Sequence, residues 1–269
     1  MEDYDDLLRF NRTGERREKD RDLFKVVEEV FDRQTLLTLV DLMRRKVVKS
    51  ISGVVSTGKE ARVYYGQGFD GTPLAIKIYY VSTADFKRGR LKYIAGDPRF
   101  KGLKPSSTRK LVYLWAAKEY GNLKRMYESG VKVPRPIAYM NNVLVMEFVG
   151  EDGLRYPLLR ECYKELTEAE IASIYELVLE EVDKIVCKAR LVHGDLSEYN
   201  VIVKPTIDIA IIDVGQAVSV THPQAPQMLM RDLENLTRFF REEAGLRDLQ
   251  DPLKIYEGLS PCLSREGAA

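Results

Sequence analysis

His193-Gly194-Asp195-Leu196-Ser197-Glu198-Tyr199-Asn200, followed after a polar turn by Ile211-Ile212-Asp213-Val214-Gly215, decides how this chain is read. Asn200 follows Asp195 by five residues, and Asp213 follows Asn200 by thirteen. Phosphoryl transfer requires such side chains: a carboxylate to orient or deprotonate the attacking group, and oxygen donors suited to a hard divalent cation. Asp and Asn are also common turn residues, and Leu191-Val192 and Val201-Ile202-Val203 alone would read as hairpin strands around a polar turn. The apolar strand Ile209–Ile212, delivering Asp213 at a matched distance, favours catalysis, with Asp195 as base and Asn200 and Asp213 as metal ligands.

The 269 residues suffice for a large core in one domain of two lobes or in two small domains. No apolar run is long enough for a membrane span, and the charged start Met1–Asp6 is not a signal peptide, so a cytoplasmic protein is expected, a monomer or weak dimer. Cys162, Cys187 and Cys262 are odd in number, widely spaced and without a Cys-x-x-Cys pair, which argues against structural disulfides and a zinc knuckle. With only His193 and His222, a histidine metal site is not expected; His193 is read as packing beneath the loop.

Positive charge is collected in one place. Lys87, Arg88, Arg90, Lys92, Arg99, Lys101, Lys104, Arg109 and Lys110 stand against only Asp85 and Asp97, interleaved with Phe86, Tyr93 and Phe100. Residues 85–110 thus carry the composition of an RNA or ribonucleoprotein contact and of a mobile insertion at 82–108.

Residues 1–46 read as an N-terminal helical segment, charged to Asp22 and then apolar at Val26, Val27, Val30, Phe31, Leu36, Leu37, Val40 and Met43. Residues 47–149 are strand-rich, with turns expected at Gly53, Thr57-Gly58 and Asp70-Gly71. They also hold a helix over Leu111–Tyr127, with caps at Ser106, Ser107 or Thr108, and a hairpin about Asn141-Asn142. Residues 150–269 turn helical, with a capping box at Thr167–Glu170 and a last helix near Met228–Glu243. Strands first and helices later define an α+β enzyme in two lobes.

Lys77 stands in the apolar strand Leu74–Ile78, where an ammonium calls for a carboxylate and a phosphate; Glu119 is the expected partner. Ser56-Thr57-Gly58-Lys59-Glu60-Ala61-Arg62-Val63 follows the kinase glycine-loop pattern as S-x-G-x-x-A-x-V, placing Ser56, Gly58 and Lys59 by the phosphates. Gly53–Lys59 also fits G-x-x-x-x-G-K, but Glu60 stands where a P-loop needs Ser or Thr, so that reading is rejected. Met146-Glu147-Phe148-Val149-Gly150, crossing between the halves, is read as the adenine slot, with backbone groups of Glu147 and Val149 in contact.

Together, Ser56–Ala61, Met146–Phe148, His193–Asn200 and Ile212–Gln216 resemble the RIO atypical protein kinases over about Asp22–Leu249. The missing winged-helix pattern is similar to the RIO-one branch, and the lack of long extensions to its archaeal members. The resemblance implies a shortened kinase fold, ATP with Mg²⁺ or Mn²⁺, serine autophosphorylation, and work on the maturing small ribosomal subunit and its rRNA. It also implies that Lys77 holds the α- and β-phosphates. Gly194 replaces the Arg of H-R-D, Ser197 the usual γ-phosphate lysine, and little chain remains between Asp213 and Met228 for a peptide platform.

Three functions stay open: a Ser/Thr protein kinase, an ATPase switch on pre-ribosomal RNA, and a small-molecule kinase of the aminoglycoside or choline type. Ser106 and Ser107 are the expected autophosphorylation sites, Ser107 favoured. Asp213, already beside the phosphates, is a candidate for a transient aspartyl phosphate.

Overall fold

The computed structural model describes residues 32–81, 90–103 and 105–264, so the expected helices before Asp32 and the calls on Lys87, Arg88 and Lys104 lie outside the described residues. The chain has an α+β, protein-kinase-like fold of two lobes. A five-stranded antiparallel sheet in the order β1-β2-β3-β5-β4 builds the first, from β1 (Ser50–Thr57), β2 (Ala61–Gln67), β3 (Pro73–Tyr79), β4 (Pro136–Met140) and β5 (Val143–Glu147). The period-2 alternation of β3 and β5 splits the interior. Leu74, Ile76, Ile78, Val143 and Val145 face one core with Leu39 and Leu42 of α1 (Arg33–Arg44). Tyr79 and Leu144 face the other, against α2 (Thr108–Glu128). Burial of each such aliphatic side chain contributes about 1.5–3 kcal/mol.

α1 corrects the face expected of it. Its buried residues are Thr35, Thr38, Leu39 and Leu42, while Leu37 is exposed. The threonines are tolerated inside because Asn142 Nδ2 donates to Thr35 Oγ1 and Asn141 Nδ2 to Thr38 Oγ1, each at 2.9 Å. Asn141 is left-handed (φ 52°), as the tight β4–β5 hairpin needs. Gly53 is not a turn; it lies inside β1, where the register slips between Ile51 and Val54, as at a bulge.

Part of the basic segment lies among the described residues. Arg90–Leu103 folds through two 3₁₀ turns, Leu91–Tyr93 and Pro98–Phe100, and buries Tyr93, Ile94 and Asp97. Asp97 accepts from Ser219 N at 3.2 Å and pairs with Arg99 at 2.7 Å, and the His222 ring bonds to Ala95 O at 2.9 Å. These polar locks are invisible to a composition reading, which sees only charge.

The second lobe opens with a short hairpin, β6 (Gly150–Glu151) and β7 (Leu154–Arg155), and a helical turn α3 (Leu159–Cys162). α4 (Glu168–Asp183) starts at the Thr167/Glu170 capping box. α5 (Ala225–Arg238) and α6 (Pro252–Ser264) complete it; α6 was not expected from sequence. α6 lies against the π-turn Lys184–Lys188, where Cys187 and Cys262 form a disulfide across 75 residues. This overturns the expectation of no structural disulfide, since sequence spacing hides a return of the chain.

Candidate active site

Two antiparallel pairs bring the motif residues together. β9 (Val201–Lys204) pairs with β10 (Asp208–Ile211), and β8 (Leu191–Val192) pairs with β11 (Val218–Ser219). Asp195 therefore leaves β8, Asn200 enters β9, Asp213 leaves β10 and Gln216 precedes β11, all at one end of the strands. Asp213 is left-handed (φ 58°, ψ 54°), a conformation that non-glycine residues hold mainly where surrounding structure enforces it. Gly194 also needs positive φ (78°), so the histidine-loop arginine of ordinary kinases has no comfortable place here.

These ends face a cleft of about 540 Å³ between the lobes. Ser56, Gly58, Lys59, Lys77, Glu119, Met146, Glu147, Val149, Asp195, Asn200 and Asp213 all line it, whereas Ser106 and Ser107 do not. Lys77 Nζ donates to Glu119 Oε1 at 2.8 Å and to Asp213 Oδ1 at 2.8 Å. Burial works against the ammonium, yet the two carboxylates hold its pKa above the ordinary lysine value. The Lys77 charge in turn lowers Asp213, whose side chain is 54% exposed toward the cleft. Burial, aided by the Asp213 charge, raises Asp195. Asn200 Nδ2 donates to Asp195 O at 2.7 Å, which turns its oxygen away from that bond.

The residues present fit a nucleotide with Mg²⁺. Asp213 is ionised, directed into the cleft and next to an ammonium, and Asn200 adds an oxygen; Mg²⁺ typically takes one or two protein oxygens plus phosphates. Among the described residues no cluster of three or more His, Cys, Asp or Glu forms a closed metal cage. Apolar Val55, Val63, Ala75, Met146, Phe148, Ile202 and Ile212 line the rest of the cleft, suited to a flat heterocycle. Of the expected backbone contacts, Glu147 N–H is committed to Arg135 O (2.9 Å) and Val149 O to Tyr156 N–H (3.2 Å). Gly58 and Lys59 sit in a strand-to-strand turn, not at the start of a helix, in keeping with the rejected P-loop.

Sequence reasoning missed several supports. Gln216 Nε2 donates to Asp195 Oδ2 at 2.7 Å. Asp232 on α5 is buried and accepts from Gly194 N (2.7 Å) and Leu196 N (3.0 Å), fixing the loop from below. Tyr79 O–H donates to Glu119 Oε2, and Arg90 pairs with Glu60 and lies over Trp115 at 3.9 Å. Gln216 was within reach of the Ile212–Gln216 motif; the others carry no local signal.

Comparison with known proteins gives the class first: a RIO domain matches residues 62–251. The chain is 41% identical over 230 residues to the RIO-type serine/threonine-protein kinase Rio1 of Haloferax volcanii, covering 86% of this chain and 77% of that protein. It is 35% identical to human serine/threonine-protein kinase RIO1, covering 94% of this chain and 47% of that one, so it spans about half of the human protein. The structure of the Rio2 kinase–ADP/Mg²⁺–phosphoaspartate complex from Chaetomium thermophilum superposes with a TM-score of 0.63 at 26% identity, covering 86% of this chain and 67% of that one. The chain belongs to the RIO family, among the RIO1-type serine/threonine-protein kinases. No helix among the described residues is long and apolar enough to cross a membrane.

Proposed function

We propose that this cleft binds ATP with Mg²⁺ and transfers the γ-phosphoryl group, first to Asp213 and then to water or to a serine of the chain itself. The convergence of Lys77, Asp195, Asn200 and Asp213 on one cleft carries this reading. Lys77, steered by Glu119, holds the α- and β-phosphates; Val149 N–H meets the adenine edge; Ser56, Gly58 and Lys59 cover the phosphates. A Mg²⁺ held by Asn200 and Asp213 would neutralise phosphate charge. The Asp213 carboxylate attacks the γ-phosphorus as its bond to the β–γ bridging oxygen breaks, and ADP leaves with that electron pair. Asp195, oriented by Gln216, then takes the proton of the water or hydroxyl that attacks the phosphorus, releasing Asp213. The phosphoaspartate of the Rio2 kinase–ADP/Mg²⁺ complex supports the first step.

Acid-quenched enzyme given labelled ATP should hold a phosphoryl group that hydroxylamine removes and that Asp213→Asn cannot acquire. Absence of any hydroxylamine-sensitive label would leave Asp213 a metal ligand only, with direct transfer.

In cis, Ser107 is the favoured acceptor. It is exposed, and its hydroxyl caps α2 by accepting from Lys110 N at 3.2 Å, a place where added negative charge is welcome. The proposed partner is the pre-ribosomal small subunit and its rRNA. Lys92, Lys101 and Lys110 are exposed for it, whereas Arg90 and Arg99 are engaged internally and cannot serve as free phosphate contacts. Charge reversal of those three lysines should flatten the salt dependence of RNA binding; an unchanged slope removes the segment from the interface.

A further inference from the structure

One buried polar cluster is not used by the chemistry above. Lys118 and Asn122 stand four residues apart on α2, hence on one face, and are 2% and 0% exposed. Lys118 Nζ donates to Gly215 O at 2.7 Å and to Ala217 O at 2.5 Å. Asn122 Nδ2 donates to Val214 O at 2.7 Å and to Ala217 O at 3.0 Å. Arg99, itself tied to Asn122 Oδ1 at 2.7 Å, adds Ala217 O at 3.2 Å. Three carbonyls that follow Asp213, those of Val214, Gly215 and Ala217, thus end on α2 or on Arg99 of the segment docked against it. Contact is close enough that a Cβ on Gly215 would lie 2.9 Å from Glu119 Oε2 and 3.0 Å from Trp115 Nε1.

An ammonium is an expensive way to satisfy carbonyls. Burial pushes the Lys118 pKa well below the ordinary lysine value, and among the described residues no carboxylate is within hydrogen-bond reach of it. Methionine would fill the volume at lower cost. What methionine cannot do is hold two carbonyls in fixed directions, and the left-handed Asp213 persists only if its neighbourhood over-determines it. Glu119, the residue after Lys118 on α2, is the partner of Lys77. A single turn of α2 therefore fixes both the nucleotide lysine and the Asp213 loop.

We propose that Lys118 and Asn122 are positioning residues that weld the Asp213 loop to α2, so that Asp213, Lys77 and Glu119 move as one body through the nucleotide cycle. The loop then has no separate open arrangement, and control of this enzyme falls on access to the cleft and on the acceptor. The inference rests on the assignment of Asp213 to phosphoryl transfer. A displacement of the attacking oxygen by about 1 Å is enough to cost on the order of 10²-fold in rate.

The test uses the full chain with Lys118→Met and Asn122→Leu, and Leu123→Ala, a buried neighbour on α2, as a packing control. Trp115 is the only tryptophan and borders Gly215, so its quenching by acrylamide reads the opening of the loop. Both welding variants should lose about tenfold or more in kcat with little change in KM for ATP, and Trp115 should become quenchable without nucleotide and protected by Mg²⁺ with ADP. Wild type should resist quenching in both states, and Leu123→Ala should lower the thermal midpoint while kcat stays near wild type. If Lys118→Met does not fold, Asn122→Leu decides alone. Wild-type kcat in the welding variants, or a wild-type Trp115 that opens without nucleotide, overturns the proposal. If Asp213→Asn retains full turnover, the assignment of Asp213 fails instead.

Discussion

The two walls of the cleft are built by opposite means. The α2 wall is buried: Glu119, Lys118 and Asn122 are all nearly inaccessible and each bonds to a group bearing on Lys77 or the Asp213 loop. The β1–β2 wall is an edge of the sheet, with Ser52, Gly53, Val54, Ser56 and Thr57 exposed, a broken register and Gly58 and Lys59 at its tip. Buried polar bonds face no competition from water and rigidify what they join, whereas a sheet edge opens locally at small cost. On the proposed function, the floor assigned to the chemistry is thus fixed, and the roof over the cleft is free to give.

The largest effects should come from the floor. Asp195→Ala and Lys77→Ala should each lower kcat by about 10² or more, the range for deleting one transition-state group. They should differ in stability: Asp195→Ala leaves the fold untouched, whereas Lys77→Ala removes the counter-charge of the buried Glu119 carboxylate, leaving it the Tyr79 hydroxyl, and should cost about 3 kcal/mol. Equal denaturation midpoints for the two variants would break the contrast drawn above.

Next is the disulfide that ties α6 to the turn before β8, the strand ending at the catalytic loop. Cys262→Ser should destabilise by about 2–4 kcal/mol, since the bridge closes a long loop. Unchanged urea midpoints with and without reductant would show that the bridge contributes nothing.

A pH effect follows from His193, buried under the same floor, with Nε2 against Ile212 O at 3.3 Å and no partner for Nδ1 among the described residues. Burial depresses its pKa from the usual 6.5 to about 4. The unfolded chain therefore takes up this proton first: the contribution is intact above about pH 6.5 and is lost as pH falls toward 4, by at most about 1.4 kcal/mol per pH unit. Thermal midpoints should fall more steeply between pH 6.5 and 4.5 in wild type than in His193→Gln; parallel curves contradict this. The smallest effect belongs to the roof. Lys59→Ala should raise KM for ATP a few-fold, by roughly 1 kcal/mol, and leave kcat intact.

This contrast also explains what could be read in advance. The α+β fold followed from period-2 strands, the Asn141-Asn142 hairpin and the Thr167 capping box, which are local signals. Lys77 and Asp213 stood out because charge in an apolar strand or at its end needs a reason. The supports did not. Lys118, Asn122 and Asp232 look like ordinary helix-surface residues, because what buries them arrives from far along the chain. The buried threonines of α1 hid its core face, and Asp97 and Arg99, counted as charge, are in fact the lock that folds the basic segment. The cysteine pair failed for the same reason.

The central claim, that phosphoryl transfer passes through Asp213, is tested most directly by quench-flow under single-turnover conditions. Labelled phosphoenzyme should rise as ADP appears and decay no more slowly than the steady-state turnover, with free phosphate or phosphoserine following after it. Phosphate or phosphoserine appearing together with ADP, with no labelled Asp213 ahead of them, would contradict the account.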